Sequence, residues 1–174
     1  MSTSPPPAAI LASPDSAAAQ RQLIDFAKKL MAAGVRVQGL VQETRREAGE
    51  KTAMELVEID TGRRFSIKQN LGRSASCQVD TQGVAEASQT LRRALEQRAQ
   101  LAVVNKFSHL EAQGQGLSAE MLALMAEGIP LLTTVSPDYL AAWNAFTGGM
   151  AVVLEANEPA LNGWWTRSSD LPGC

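Results

Sequence analysis

The densest cluster of reactive side chains in this 174-residue chain is the run Gly72-Arg73-Ser74-Ala75-Ser76-Cys77. A glycine that frees the backbone stands beside a guanidinium, two hydroxyls and a thiol. Consecutive loop amides can wrap an anion, and the arginine fork suits a tetrahedral oxyanion such as phosphate, sulfate or molybdate. Lys68 lies just upstream and could add a second cation, while a Cys77 thiolate would suit a soft metal centre. The same composition also describes a solvated loop between a strand and a helix, with a buried structural cysteine.

Asn105-Lys106 follows the apolar run Leu101-Ala-Val-Val104. That run reads as a strand buried on both faces, and ligands of open α/β sheets bind at the carboxyl ends of such strands. Lys106 there is either an anion-binding cation or a lysine leaving the strand for water. His109 and Glu111 come next, before Gly114 and Gly116. Either could act as a general base, although a lone histidine is as readily structural or incidental. Arg45, Arg46 and Lys51 are interleaved with Glu43, Glu47 and Glu50, a mixture that reads as a solvated loop. Trp143 and Phe146 share a helix face and read as core. An exposed Trp164-Trp165 near the carboxyl end could instead mark a dimer or partner contact.

One turn is informative for what it lacks. Between a short first strand and a long first helix the chain reads Ser13-Pro14-Asp15-Ser16-Ala17-Ala18-Ala19-Gln20. A phosphate-binding loop of the form G-x-x-x-x-G-K-[ST] would stand there, its glycines letting backbone amides close on phosphate oxygens and its lysine supplying charge. This turn has no glycine, and no lysine precedes Lys28. Asp15 or Ser16 reads as a helix cap.

The elements that position these groups follow from periodicity. Ala8–Ala12 is a first strand, and a helix ends at Gly34 after Leu23, Ala27, Leu30 and Met31 fall on one face. Val35–Val41 reads as a strand, Glu43–Lys51 as a charged loop, and Met54–Ile59 with Phe65–Lys68 as a hairpin across Asp60-Thr61-Gly62-Arg63. A helix from Asp80 or Thr81 to Gln97, the strand 101–104, a loop over Phe107–Gly116 and a helix capped by Ser118 come next. They are followed by the strand Ile129–Val135, a helix from Pro137 to Phe146, the strand Met150–Leu154 and a helix over Pro159–Trp165. Residues 1–7 are expected to be a disordered proline-rich arm, 8–165 a single domain and 166–174 a flexible tail. Strands alternating with helices predict a mostly parallel, helix-covered α/β sheet with an antiparallel hairpin insertion.

Bulk properties exclude several classes. Hydrophobic residues at 45% suffice for one substantial core. Sixteen basic against eighteen acidic residues give a net charge of −2, so nothing draws the whole chain to nucleic acid or an anionic membrane. No apolar run is long enough to span a bilayer, and the amino terminus lacks a signal-peptide pattern, so a cytoplasmic location is expected. Two cysteines and a single histidine argue against a disulfide framework and a structural zinc site.

In this order and at these spacings several segments resemble a small bacterial family of uncharacterised domains. The segments are 33–42, Asp60–Arg64, Val103–Phe107 with Glu111 and Gly114–Gly116, and Gly128–Thr133. That family is itself similar to the thermophile-type nucleoside triphosphatases of the P-loop class. The resemblance implies their fold over nearly the whole chain. In the active triphosphatases the strand resembling 101–104 ends in an acidic pair that holds magnesium and positions water. Here the pair reads Asn105-Lys106, so efficient Mg-ATP hydrolysis is not expected, and magnesium is not an expected cofactor. The resemblance also implies an association with molybdate uptake and molybdenum enzymes, whose genes lie near those of family members. The expected function is an accessory anion- or nucleotide-binding protein on a degenerate P-loop fold, using Lys68, Arg73, Ser74, Ser76, Asn105, Lys106 and Glu111. The alternatives are a molybdate or metal-oxyanion protein in molybdenum homeostasis or cofactor supply, a protein-interaction scaffold, and an unconventional triphosphatase with Glu111 or His109 as base.

Overall fold

The computed structural model describes residues 5–12, 15–69 and 81–169. Strands that are apolar on both faces form the middle of its sheet. β5 (Leu101–Phe107) and β6 (Leu131–Val135) are buried at every position but Lys106. They lie side by side between β2 (Val37–Glu47) and β1 (Ala8–Leu11). Beyond β1 comes β7 (Val152–Leu154), and beyond β2 come β3 (Glu50–Glu58) and β4 (Arg64–Gln69), giving the order β4-β3-β2-β5-β6-β1-β7. The ladders joining β2, β5, β6, β1 and β7 are parallel, while β2–β3 and β3–β4 are antiparallel. The expected α/β architecture with an antiparallel insertion is thus the observed one.

Alternating side chains of these strands feed two cores. Val37, Leu101, Val103, Ile10 and Leu132 meet α1 (Ser16–Ala32) and α6 (Glu158–Ser169) on one face. Leu40, Ala102, Val104 and Leu131 meet α2 (Thr81–Glu96), α4 (Ser118–Ala126) and α5 (Leu140–Phe146) on the other. α1 buries Ala19, Leu23, Phe26 and Ala27 at helical spacing. Each larger side chain among them stabilises the fold by about 2 kcal/mol. A single-turn helix, α3 (His109–Ala112), follows β5 directly.

The β5–β6 ladder slips once: Val104 pairs with Thr133, and the next pair is Phe107 with Val135. One extra residue on β5 inverts the facing of the strand's last residues. Phe107 therefore joins the same core as Val104, where it packs 5.3 Å from Trp143 and 5.1 Å from Phe146 between ring centroids. Trp143 is 1% exposed, as its reading as core requires.

Several boundaries differ from expectation. Residues 43–51 are not a loop. β2 and β3 continue as a hairpin past Leu40, the last residue of β2 paired with β5, and turn at Ala48-Gly49. Interleaved charge suits a two-stranded hairpin as well as it suits a loop, so composition could not separate the two. The segment 107–116 is not all loop either, since it contains the end of β5 and α3. Ser118 is the first residue of α4, not its cap. The last helix runs to Ser169, so the expected tail from 166 begins as helix. Pro6 and Pro7 are also tied down: the Pro6 carbonyl accepts from Trp164 Nε1 at 2.8 Å and the Pro7 carbonyl from Val152 N at 2.9 Å. Proline lacks a donor but keeps its carbonyl, so a proline-rich arm can still be fixed in this way.

Candidate functional site

Parallel strands present their carboxyl ends on one side, and β4, reversed twice relative to β2, ends on that side as well. The turn after β1, the segments after β6 and β5, and the end of β4 at Lys68-Gln69 therefore share one edge. Ala12 N bonds the Val135 carbonyl at 2.8 Å and holds the end of β1 beside that of β6.

At the start of α1 the Asp15 carboxylate accepts from Ala17 N at 2.9 Å. An acidic side chain of the chain itself thus occupies part of the helix N-terminus, where free N–H groups and the helix dipole favour an anion. Gln20, in the next turn, donates through Nε2 to the Gln42 carbonyl of β2 and ties α1 across the sheet edge.

Asn105 is 2% exposed, and both ends of its amide are engaged. Its Oδ1 accepts from Gln42 N at 3.1 Å, and its Nδ2 donates to Thr134 Oγ1 at 2.7 Å. It cross-links β2, β5 and β6. To serve as a ligand-binding residue it would first have to release these partners and leave buried polar groups unpaired. Lys106, its neighbour, is exposed at the same strand end.

Glu111, the expected base and ligand residue, is engaged within the chain in the same way. It is 7% exposed. Its Oε1 accepts from Ser108 N at 3.1 Å and Ser108 Oγ at 3.3 Å, and its Oε2 accepts from Leu117 N at 3.2 Å. This is a capping box that starts α3 and pins the loop leading to α4. The S-x-x-E spacing of Ser108 and Glu111 carries that signal in the sequence. We expect Glu111→Ala to cost about 2 kcal/mol in urea unfolding, because the buried Leu117 N–H loses its acceptor. A change within 0.5 kcal/mol (about the surface-mutation scatter) would make Glu111 an available acid again. His109 is exposed on the first turn of α3.

Arg73, Ser74, Ser76 and Cys77 lie outside the described residues, as does the proposed soft-metal position at Cys77. Lys68 is on β4, two positions before that segment begins. Among the described residues, no group of three or more His, Cys, Asp or Glu could hold a metal, and no helix is long and apolar enough to cross a membrane. The Trp164-Trp165 expectation is corrected. Trp164 is 6% exposed, with its ring centroid 6.3 Å from Phe26. Trp165 is half-buried and meets Phe26 edge-on at 6.5 Å. Both serve the core between α1 and α6.

The charged residue that sequence reasoning missed is Glu58, 2% exposed at the end of β3. It accepts from the hydroxyls of Thr61 and Thr90 and from Arg93 at 3.0 Å. Burial pushes its carboxyl up, but the two hydroxyls and the Arg93 charge outweigh burial and hold it below the ordinary glutamate value. The signal was present in the alternation Met54, Leu56, Glu58, which places an acid on an inward-facing position.

With this geometry in view, residues 8–164 match the family described as Protein of unknown function (DUF2478). The chain belongs to that family. It is also 40% identical over 149 residues to a Bradyrhizobium diazoefficiens protein named Molybdenum import ATP-binding protein ModC 2. The match takes in 84% of this chain but spans only 17% of that relative's length. Among solved structures the DUF2478 chain is similar to a human cancer-related nucleoside triphosphatase in solution, at 19% identity and a TM-score of 0.64, covering 96% of this chain and 98% of the other. The chain therefore shares the fold of that nucleoside triphosphatase.

Proposed function

We propose that this DUF2478 domain is an accessory binding domain for a small anion or a nucleotide, and not an efficient Mg-ATP hydrolase. The observation that carries the reading is the Asp15 cap on α1. A phosphate brought to the free N–H groups there would meet a like charge already bonded to one of them. Three further features support it: the turn after β1 has no glycine or lysine, Asn105 is a strand tie, and Glu111 belongs to a capping box. The ligand would sit at the carboxyl edge, with Lys106 at the end of β5 and Lys68, Arg73, Ser74 and Ser76 at and after the end of β4.

A second reading, molybdate or a related metal oxyanion as that ligand, is favoured by one observation: the 40%-identical segment belongs to a protein named for molybdenum import. A domain joined to import machinery could hold or report the incoming oxyanion. The name's ATP-binding function concerns a protein of which this chain spans 17%, and this chain lacks the loop that such binding uses. The scaffold reading loses its main support with the burial of Trp164.

Two assays test the proposal. In a phosphate-release assay with ATP and GTP and magnesium, we expect no turnover above the blank, and sustained Mg-dependent release would overturn the non-hydrolysing reading. In thermal unfolding, molybdate at a hundredfold its dissociation constant should add about 2.7 kcal/mol, roughly 5–10 °C for a domain of this size. Arg73→Ala and Lys106→Ala should each reduce that shift. Unchanged affinity in both would remove the site, and a shift with nucleotides alone would remove the oxyanion reading.

A further inference from the structure

At the opposite edge of the sheet, the β3–β4 turn and the outer face of α2 enclose a cleft of about 390 Å³. Glu58 and Thr90 form part of its lining, and Arg63 and Arg93 both face into it. We propose that this cleft is a second anion site, taking a small tetrahedral dianion between Arg63 and Arg93.

The two arginines are held in different ways, and each leaves donors available. Arg63 lies over the Phe65 ring, 4.9 Å from its centroid. Stacking on a ring orients a guanidinium plane without using its N–H groups. Among the described residues Arg63 makes no side-chain ion pair. Arg93 reaches Glu58 through one terminal nitrogen at 3.0 Å. A guanidinium has five N–H donors in a fixed fork, so one such bond anchors Arg93 and leaves other donors toward the cleft. Phe65 is 5% exposed and Glu58 2%, so the platform under one arginine and the anchor under the other are rigid parts of the core. Clamping the hairpin to α2 needs Glu58, Thr90 and Arg93. It does not need Arg63 on its ring, and that leaves Arg63 for a ligand.

Charge sets the ligand class. Glu86 and Glu96 also line the cleft. Arg92 lines it too but is paired with Glu120 at 3.7 Å, and Glu58 already takes part of the Arg93 charge, so the cleft suits a small oxyanion shared by Arg63 and the open donors of Arg93, whereas a polyphosphate would press additional charge against these carboxylates. The volume is at the small end of ligand pockets. Sulfate, inorganic phosphate and molybdate share the required shape and charge. This site stands independently of the carboxyl-edge site and uses none of its residues.

The test uses the full chain and the arginine side-chain Nε–H resonances in NMR, titrated with sodium sulfate, phosphate and molybdate. We expect saturable movement of the Arg63 and Arg93 resonances at millimolar anion. Arg63→Gln should weaken binding at least about tenfold, and Arg63→Lys should fall between it and the native protein, since an ammonium keeps the charge but not the fork. Lys106→Ala and Arg73→Ala should leave these resonances and their affinity unchanged, which separates this site from the one proposed above. Arg63 is exposed, so its variants should fold, and an unchanged backbone amide spectrum will verify that. The site is overturned if neither resonance saturates by about 20 mM anion, roughly the weakest affinity worth a site. It is equally overturned by native affinity in Arg63→Gln, or by ATP moving both resonances as tightly as sulfate does.

Discussion

Replacing Gly39 with alanine should leave little folded protein. Gly39 lies in β2 opposite Val103 of β5, with φ of +143°. A β-carbon at that position would stand 1.9 Å from the Val103 carbonyl oxygen and 2.8 Å from both its carbonyl carbon and its amide nitrogen. These are backbone atoms of a strand hydrogen-bonded on both sides, so relief requires parting β2 from β5 or β5 from β6. The backbone angle adds a conformational penalty for any L side chain. Together they place Gly39→Ala above about 4 kcal/mol, against a total of roughly 5–15 for a domain. Gly62→Ala is the control. It also has positive φ, at +80°, but nothing stands within 4 Å of its added carbon. It should cost only about 1 kcal/mol, the backbone term alone. Urea unfolding of both proteins separates the terms, and a cooperative Gly39→Ala transition within 2 kcal/mol (about half the expected loss) would show that the two strands can move apart.

The same strand shows where sequence reading stops. The alternation of valines around Gly39 reveals a strand, but the close approach that requires glycine depends on β5, more than sixty residues away in sequence. Strands that bury both faces were legible because apolar runs such as Leu101–Val104 and Ile129–Val135 have few other places to go. The charged ribbon after Leu40 was not, since its pairing comes from cross-strand bonds that composition does not record. Trp164 and Trp165 misled for a related reason: they lie near the carboxyl end, where exposure is the default, yet α6 folds back onto Phe26.

The candidate site shows the same division. The missing glycines and lysine after β1 were plain in the sequence, and so was the cap at Asp15. Which polar residues were already committed was not plain. Asn105 and Glu111 have the right chemistry for a ligand edge, and only the positions of Gln42, Thr134, Ser108 and Leu117 show that this chemistry is spent on the chain itself. Lys106 is exposed at the end of β5, and the proposed carboxyl-edge site joins it to the segment after β4.

Removing the Glu58 side chain should be the second large loss, about 3 kcal/mol for Glu58→Ala. The carboxylate joins Thr61 in the β3–β4 turn to Thr90 and Arg93 on α2. Its loss unpairs two hydroxyls and strips the partner from a guanidinium. The side chain of Arg93 is 36% exposed, so water recovers part of the loss, which puts the value at the low end of the range for breaking a buried pair. The sign with pH is set by the lowered folded-state pKa of Glu58. In the unfolded chain a glutamate titrates near 4.3, so on acidification the unfolded state takes up the proton first. The contribution of Glu58 is therefore fully present above about pH 4.3 and is lost as pH falls through the depressed folded value. Urea unfolding at pH 7 and across pH 5 to 3 should show the native protein losing stability more steeply than Glu58→Gln over the acid range. Parallel acid limbs for the two proteins would mean that the carboxylate is not held ionised by these contacts. A Glu58→Ala protein within 0.5 kcal/mol of native at pH 7 (about the surface-mutation scatter) would mean that the hairpin is fixed to α2 by its apolar contacts, Phe65 and Ile67 against Ala87 and Leu91, and not by this buried charge.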